Sequence, residues 1–163
     1  MNGAMLLPEF DHEMATTRKV LERVPDDQLD FKPHPKSFSM LELASHIANI
    51  PTWTGVTLTG TELDLAQDWV RGTPKDRDEV LAGFDAAVAE ARGALQPATS
   101  DDLMVGWTLK TGDQTHFTMP RAAVLRTFVL SHLIHHRAQL GVYLRLVDVP
   151  VPSVYGPSAD EAM

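Results

Sequence analysis

The residues with chemical potential in this chain are its seven histidines, and there is no cysteine to compete with them. His132 and His136 lie four apart in a strongly periodic apolar segment. That spacing places two imidazoles one turn apart on the same helical face, where their nitrogens can converge on one point. Both fall on the apolar stripe, so two readings are open. They can be core histidines bonded to backbone or water. They can also share a metal ion, which satisfies two costly buried imidazoles at once. His46 stands in the same relation to an earlier helix, between Leu43, Ile47 and Ile50. Alone it reads as a polar core residue. Together with the pair it completes a three-nitrogen set supplied by two facing helices, and such a set leaves coordination positions open for water or substrate. His132-Leu-Ile-His135-His136 is not the zincin pattern, because no glutamate follows the first histidine.

The remaining histidines offer less. His135 sits beside His136, where side chains diverge by about 100°, so it is expected at the rim. His12 is flanked by Asp11 and Glu13 and reads as surface. His34 lies between two prolines, and His116 lies in a possible hairpin. No paired carboxylates mark a general acid and base, no glycine pattern cradles a phosphate, and Ser131 next to His132 faces away from it. Arg121, Arg126, Arg137 and Arg145 make the last helix basic. Arg137, adjacent to a candidate ligand, is a candidate for orienting an anionic substrate group.

Four amphipathic segments have to position these groups. The first runs from about Pro8 to Val24 with Phe10, Met14, Thr17, Leu21 and Val24 on one face. Residues 25–38 contain three prolines and read as an ordered loop. The second helix opens on a capping box, Ser39 and Glu42, and Pro51 kinks or ends it. Residues 61–73 are less regular. Thr73 and Pro74 suggest the cap and first position of a third helix, which carries Leu81, Phe84, Val88, Ala91 and Leu95. Residues 104–108 and 115–118 flank Lys110, Thr111, Gly112 and Asp113 as a short hairpin. The fourth helix runs from about Pro120 to Val147. It carries Val124, Leu125, Phe128, His132, Leu133, His136, Leu140 and Tyr143 on one stripe. The tail from Asp148 is proline-rich and irregular. The expected fold is all-α, a four-helix bundle forming one domain over residues 1–163.

Composition narrows the function classes. The 163 residues are 44% hydrophobic and 22% charged, ordinary for a globular chain, and 14 basic against 22 acidic residues give a net charge of −8. Such an acidic balance provides no footprint for phosphate backbones, so no nucleic-acid partner is expected. The absence of cysteine excludes disulfides, thiolate metal sites and a cysteine nucleophile. No basic-then-apolar leader and no apolar run of about 18 residues are seen, so no signal peptide and no membrane span are expected. A cytoplasmic setting fits.

The run from Ser131 through His132, His135, His136, Arg137, Ala138, Gln139 and Leu140 to Tyr143, Leu144 and Arg145 resembles the last helix of DinB-family proteins. These are damage-inducible four-helix, DinB/YfiT-like metalloenzymes, unrelated to the DNA polymerase that has shared the name. Leu43, Ala44, Ser45, His46 and Ile47 resemble the family's second-helix histidine segment, and residues 149–161 resemble a tail found in part of it. One departure is Ala138, where the family often has glycine. The resemblance implies a four-helix bundle with long crossover connections. It implies a divalent metal, nickel or zinc, on His46, His132 and His136. It also implies thiol-dependent chemistry, with a low-molecular-weight thiol joined to a small-molecule electrophile. Without cysteine here, that thiol is external. A metal-dependent hydrolase and a non-enzymatic metal-binding bundle are the alternatives, the latter expected to close its site with a fourth ligand such as His116 or His12. Family members often pair, and Trp53, Trp69 and Trp107 lie in connections, so a homodimer is expected.

Overall fold

A computed structural model describes residues 2–67 and 72–162. Helix α1 (Gly3–Leu21) starts a turn and a half before the expected Pro8, because Asn2 caps it by accepting from the Met5 amide. Pro8 is therefore interior, at the cost of one backbone hydrogen bond. Gly3 is required where it stands: a Cβ there would come within 1.8 Å of the Leu95 carbonyl oxygen, and its amide donates to Ala98 O at 2.8 Å. The helix ends at Leu21, short of Val24.

Helix α2 (Met40–Asn49) opens on the expected capping box, with both Ser39 and Glu42 bonds made. As expected, α2 ends just before Pro51. A 3₁₀ turn (Ile50–Thr52) absorbs it, and helix α3 (Trp53–Thr59) continues. Helix α4 (Arg77–Leu95) is capped by Asp76, whose side chain accepts from the Glu79 amide, rather than by Thr73. Asp76 wins because its short carboxylate reaches the third helical amide directly. A short helix α5 (Ser100–Met104) follows.

The all-α expectation is corrected by a sheet. Strands β2 (Gly106–Thr111) and β3 (Gln114–Pro120) form the antiparallel hairpin, with Gly112 at φ +56° in its turn. Strand β1 (Glu62–Asp64), in the irregular region, pairs parallel to β2 and completes a three-stranded sheet. Three residues are too few to show period-two alternation, so this strand had no sequence signal.

The last helical segment begins at Arg121, directly after Pro120. It comprises α6 (Arg121–Val124), a π-helical stretch (Leu125–Ser131) and α7 (His132–Leu146). The backbone amide of His132 reaches back five residues to Thr127 O, so the change of pitch falls immediately before the first histidine of the pair. α4 packs on α1, α2 and α3, while α7 packs on α1 and α2. α1 and α2, and likewise α4 and α7, are thus diagonal to one another, whereas the consecutive long helices α2 and α4 are neighbours.

The main core gathers Phe10, Met14, Leu21, Leu43, Ile47, Phe84, Leu133, Leu140 and Leu144 from all four long helices. A second cluster, built on fully buried Trp107 with Leu109 and Val124, seats the sheet, and Trp53 bridges the two clusters. Trp69 lies outside the described residues. The tail is ordered by its own bonds. Asp160 takes the Val151 amide and pairs with Arg145, and Glu161 pairs with Arg23. Among the described residues no helix is long and apolar enough to cross a membrane.

Candidate metal centre

The capping box fixes where α2 begins, and from that start His46 falls on the face turned toward α7. The helical register of α7 then sets His132 and His136 one turn apart opposite it. The ring nitrogens of His46, His132 and His136 lie within 4.8 Å of one another, and all three side chains are half-buried. The Nε2 atoms point inward: His46 to His132 is 3.2 Å and His136 to His132 is 2.9 Å. The ring planes of His46 and His136 are nearly perpendicular at 4.5 Å between centroids, an edge-to-face arrangement.

The outer nitrogens explain this orientation. His136 Nδ1 lies 2.7 Å from Gln139 Oε1, one turn further along α7. The Phe128 carbonyl accepts a hydrogen bond from the His132 ring and favours its charged form. A ring that donates from its outer nitrogen presents a bare acceptor at its inner one. With both rings in those tautomers, the 2.9 Å contact between His136 and His132 Nε2 sets two acceptors together, an arrangement that a cation between them would relieve. The donor set therefore fits a divalent metal: three neutral nitrogens, two of them on rings whose outer partners favour one tautomer.

Electrostatics agree. Burial, followed by the proximity of His136 and His132, pushes the His46 pKa down to about 4. Burial also lowers His132 and His136, against the opposing bonds from Phe128 and Gln139. All three are thus neutral at pH 7, the form that ligates.

The other sequence candidates do not join them. His12 is exposed on α1, His34 is exposed and accepts from the Lys36 amide, and His116 bonds Thr111 Oγ1 on the hairpin. His135 is exposed at the rim, its ring 4.9 Å from that of His136. Among the described residues no fourth histidine or carboxylate completes the group. Arg137 is committed elsewhere. Buried at 3% exposure, it pairs with Glu13 at 2.8 Å and donates to Thr17 Oγ1 and the Tyr155 hydroxyl. These bonds turn its guanidinium toward α1 and the tail.

Two recesses flank the triad. One, of about 410 Å³, is bounded by His136, Gln139 and Tyr143 of α7 and by Lys36, Ser37 and Phe38. The other, of about 280 Å³, lies against His132 and His135 with Thr127, Phe128 and Ser131. From the sequence, Phe128 was read only as part of the apolar stripe and Gln139 only as part of the last-helix run, and Lys36 was not singled out. Only Gln139 carried a signal, its three-residue offset from His136.

A mostly helical fold with a small sheet and an inward three-histidine group defines a class, and the comparisons name it. The whole chain, residues 1–163, matches the DinB family, and the protein belongs to it. It is 25% identical over 159 residues to the uncharacterized protein YrdA of Bacillus subtilis (strain 168), covering 95% of this chain and 89% of that one. A DinB-like protein from Bacillus cereus ATCC 10987 superposes with a TM-score of 0.72 at 25% identity, over 92% of this chain and 95% of the other. The DinB-like YjoA of B. subtilis shares the fold with a TM-score of 0.69 at 18% identity, over 90% and 95% of the two chains.

Proposed function

We propose that His46, His132 and His136 ligate one divalent metal, nickel or zinc, through Nε2. We further propose that the site serves a thiol-dependent transferase acting on a small-molecule electrophile. The observation that carries the metal reading is the convergence of three inward Nε2 atoms, two of them on rings whose outer nitrogens are engaged. When bound, the metal supplies a positive charge that lowers the pKa of a thiol or water held beside it. The chain's own residues do the rest. The three imidazoles are held neutral by burial, Gln139 and the Phe128 carbonyl fix ring orientation, and the flanking recesses give reactants access. The lack of a fourth protein ligand among the described residues favours an open site over simple sequestration.

The thiol reading rests on membership of the DinB family and on the absence of cysteine, which makes any thiol a co-substrate. Elemental analysis of untagged protein tests the metal, and one equivalent of nickel or zinc, lost on replacing any of the three histidines, is the expected result. A screen of electrophiles with and without added low-molecular-weight thiols tests the activity. Turnover without thiol would favour a hydrolase instead. Pairing as a homodimer belongs to the same reading, supported by the exposed Val142 and Leu146 of α7. A sedimentation mass near 18 kDa would count against it.

A further inference from the structure

The two recesses beside the triad differ in chemistry. The His132 side is walled by Phe128 and the short side chains of Thr127 and Ser131, and it holds no cation apart from a histidine rim. The His136 side carries Lys36, Ser37 and Gln139 against Phe38 and Tyr143. Lys36 is the one side chain in either lining with a permanent positive charge. Lys32, Lys75 and Lys110 are paired with Glu42, Glu79 and Glu62, whereas Lys36, like Lys19 on α1, has no carboxylate partner among the described residues. In a chain of net charge −8, an unpaired ammonium beside a candidate reaction centre is the local exception to a field that repels anions.

The loop that carries Lys36 is fixed rather than loose. The Lys36 amide donates to His34 Nδ1 and the Ser37 amide to His34 O. The Tyr143 hydroxyl donates to Phe38 O, and the Met40 amide closes the loop onto Phe31 O. The backbone that presents the ammonium is therefore tied to α7 and to the start of α2, the two helices that carry the triad. Phe38 lies with its ring 5.9 Å from that of His46 and forms an apolar side to the same recess.

From this placement we infer that the His136-side recess binds a substrate bearing an anionic group, a carboxylate in the first instance, with Lys36 as the residue that selects it. The inference rests on the metal-and-thiol reading above and deepens it. A thiol whose sulfur reaches the triad extends its carboxylate along Gln139 toward Lys36, and the apolar His132-side recess is left to the second reactant.

The test uses cobalt-loaded full-length protein and two probes of equal length, 3-mercaptopropionate and 3-mercaptopropanol. Thiolate-to-metal charge-transfer absorbance reads their affinities at one pH. Because the two thiols differ in acidity, the deciding quantity is how the ratio of their affinities changes between variants. The expected result is a preference of about tenfold or more for the carboxylate thiol in the native protein. That ratio should fall several-fold in Lys36→Gln, fall further in Lys36→Glu and be retained in Lys36→Arg. A ratio that Lys36→Gln leaves unchanged would overturn the inference while leaving the metal site standing. Cobalt binding with no charge-transfer band from either thiol would overturn the thiol reading, and this inference with it. Failure to bind cobalt at all would overturn the triad itself.

Discussion

Two consecutive residues of α7, His136 and Arg137, head polar clusters that solve opposite problems. Around Arg137 every group has its complement. The guanidinium meets the Glu13 carboxylate, the Glu13 carbonyl and Thr17, and the Tyr155 hydroxyl bonds Arg137 and both Glu13 oxygens. The arginine also lies over the Tyr155 ring at 5.1 Å. Burial and the Glu13 bond hold the Tyr155 hydroxyl above its usual pKa. Around His136 imidazole nitrogen faces imidazole nitrogen, and among the described residues no carboxylate joins the group. A satisfied buried network ties elements together, here α1, α7 and the tail. A convergent set of ring nitrogens is an arrangement that an added cation could complete. Burial and polarity alone would rank the Arg137 cluster first; complementarity separates architecture from site.

The largest effect that sharpens this contrast comes from the structural side. Replacing Arg137 with Met leaves Glu13 buried without its partner, a loss expected at about 3–5 kcal/mol. In a chain of this length that corresponds to a melting temperature lower by roughly 10 °C or more. Differential scanning calorimetry reads it. Metal stoichiometry should be unchanged, and a variant that melts normally but loses metal would reverse the assignment of the two clusters.

Next comes the site. His136→Ala should weaken metal binding by about a hundred- to a thousandfold, since one of three ligands carries a large share of the binding free energy. Its far-UV circular dichroism should match that of chelated native protein, because the main core continues well beyond the histidines. Loading native protein at a hundred to a thousand times the dissociation constant should stabilise it by about 3–4 kcal/mol, and at the same metal concentration this gain should fall to about 1 kcal/mol or less in the variant. Wholesale loss of helix in either sample would make the metal structural.

Gln139→Leu comes third. It removes the acceptor at His136 Nδ1 but none of the three inward nitrogens. Outer partners of this kind are worth about ten- to a hundredfold in metal affinity. Isothermal titration with nickel or zinc gives the number. Affinity equal to native would mean that packing alone orients His136.

The two clusters were not equally legible in the sequence. The triad was, because His132 and His136 share a helical face and α2 announces its start with Ser39 and Glu42; two regular helices are enough to place three side chains. Arg137 was placed on a functional guess by adjacency, and its partners could not be found that way. Glu13 is 124 residues away, and Tyr155 sits in a proline-rich tail with no periodicity to predict its path. The same limit applies to the fold. The long apolar stripes were readable, as was the Gly112 turn of the hairpin. Strand β1 was not, because its existence depends on β2 more than forty residues later. The start of α1 was hidden for a different reason: Pro8 signals a first turn, but the Asn2 cap and a close approach only Gly3 permits extend the helix past it. The π-helical stretch leaves no mark in the apolar pattern, yet it sets the pitch change just ahead of His132.

The smallest effect expected is on the pH dependence of the metal-free protein, and it probes the contrast from the solvent side. The folded-state pKa of His46 is about 4, and those of His132 and His136 are also lowered, whereas an unfolded histidine titrates near its ordinary value of 6.5. Between these limits the unfolded chain binds more protons than the folded one, so acidification favours unfolding. Stability from the neutral triad is therefore fully present above about pH 6.5 and declines as pH falls toward 4. All three rings are partly open to solvent, so the decline should be gradual and smaller than the Arg137→Met loss. Chelated native protein melted at several pH values should show it, and His46→Gln should flatten the slope across that window. With metal bound the dependence should steepen, because protons then compete for the ligating nitrogens themselves. A metal-free profile that is level from pH 6.5 to 4 would mean that the three rings accept protons as readily folded as unfolded. The triad would then be an ordinary polar surface, and the contrast with the Arg137 cluster would fail.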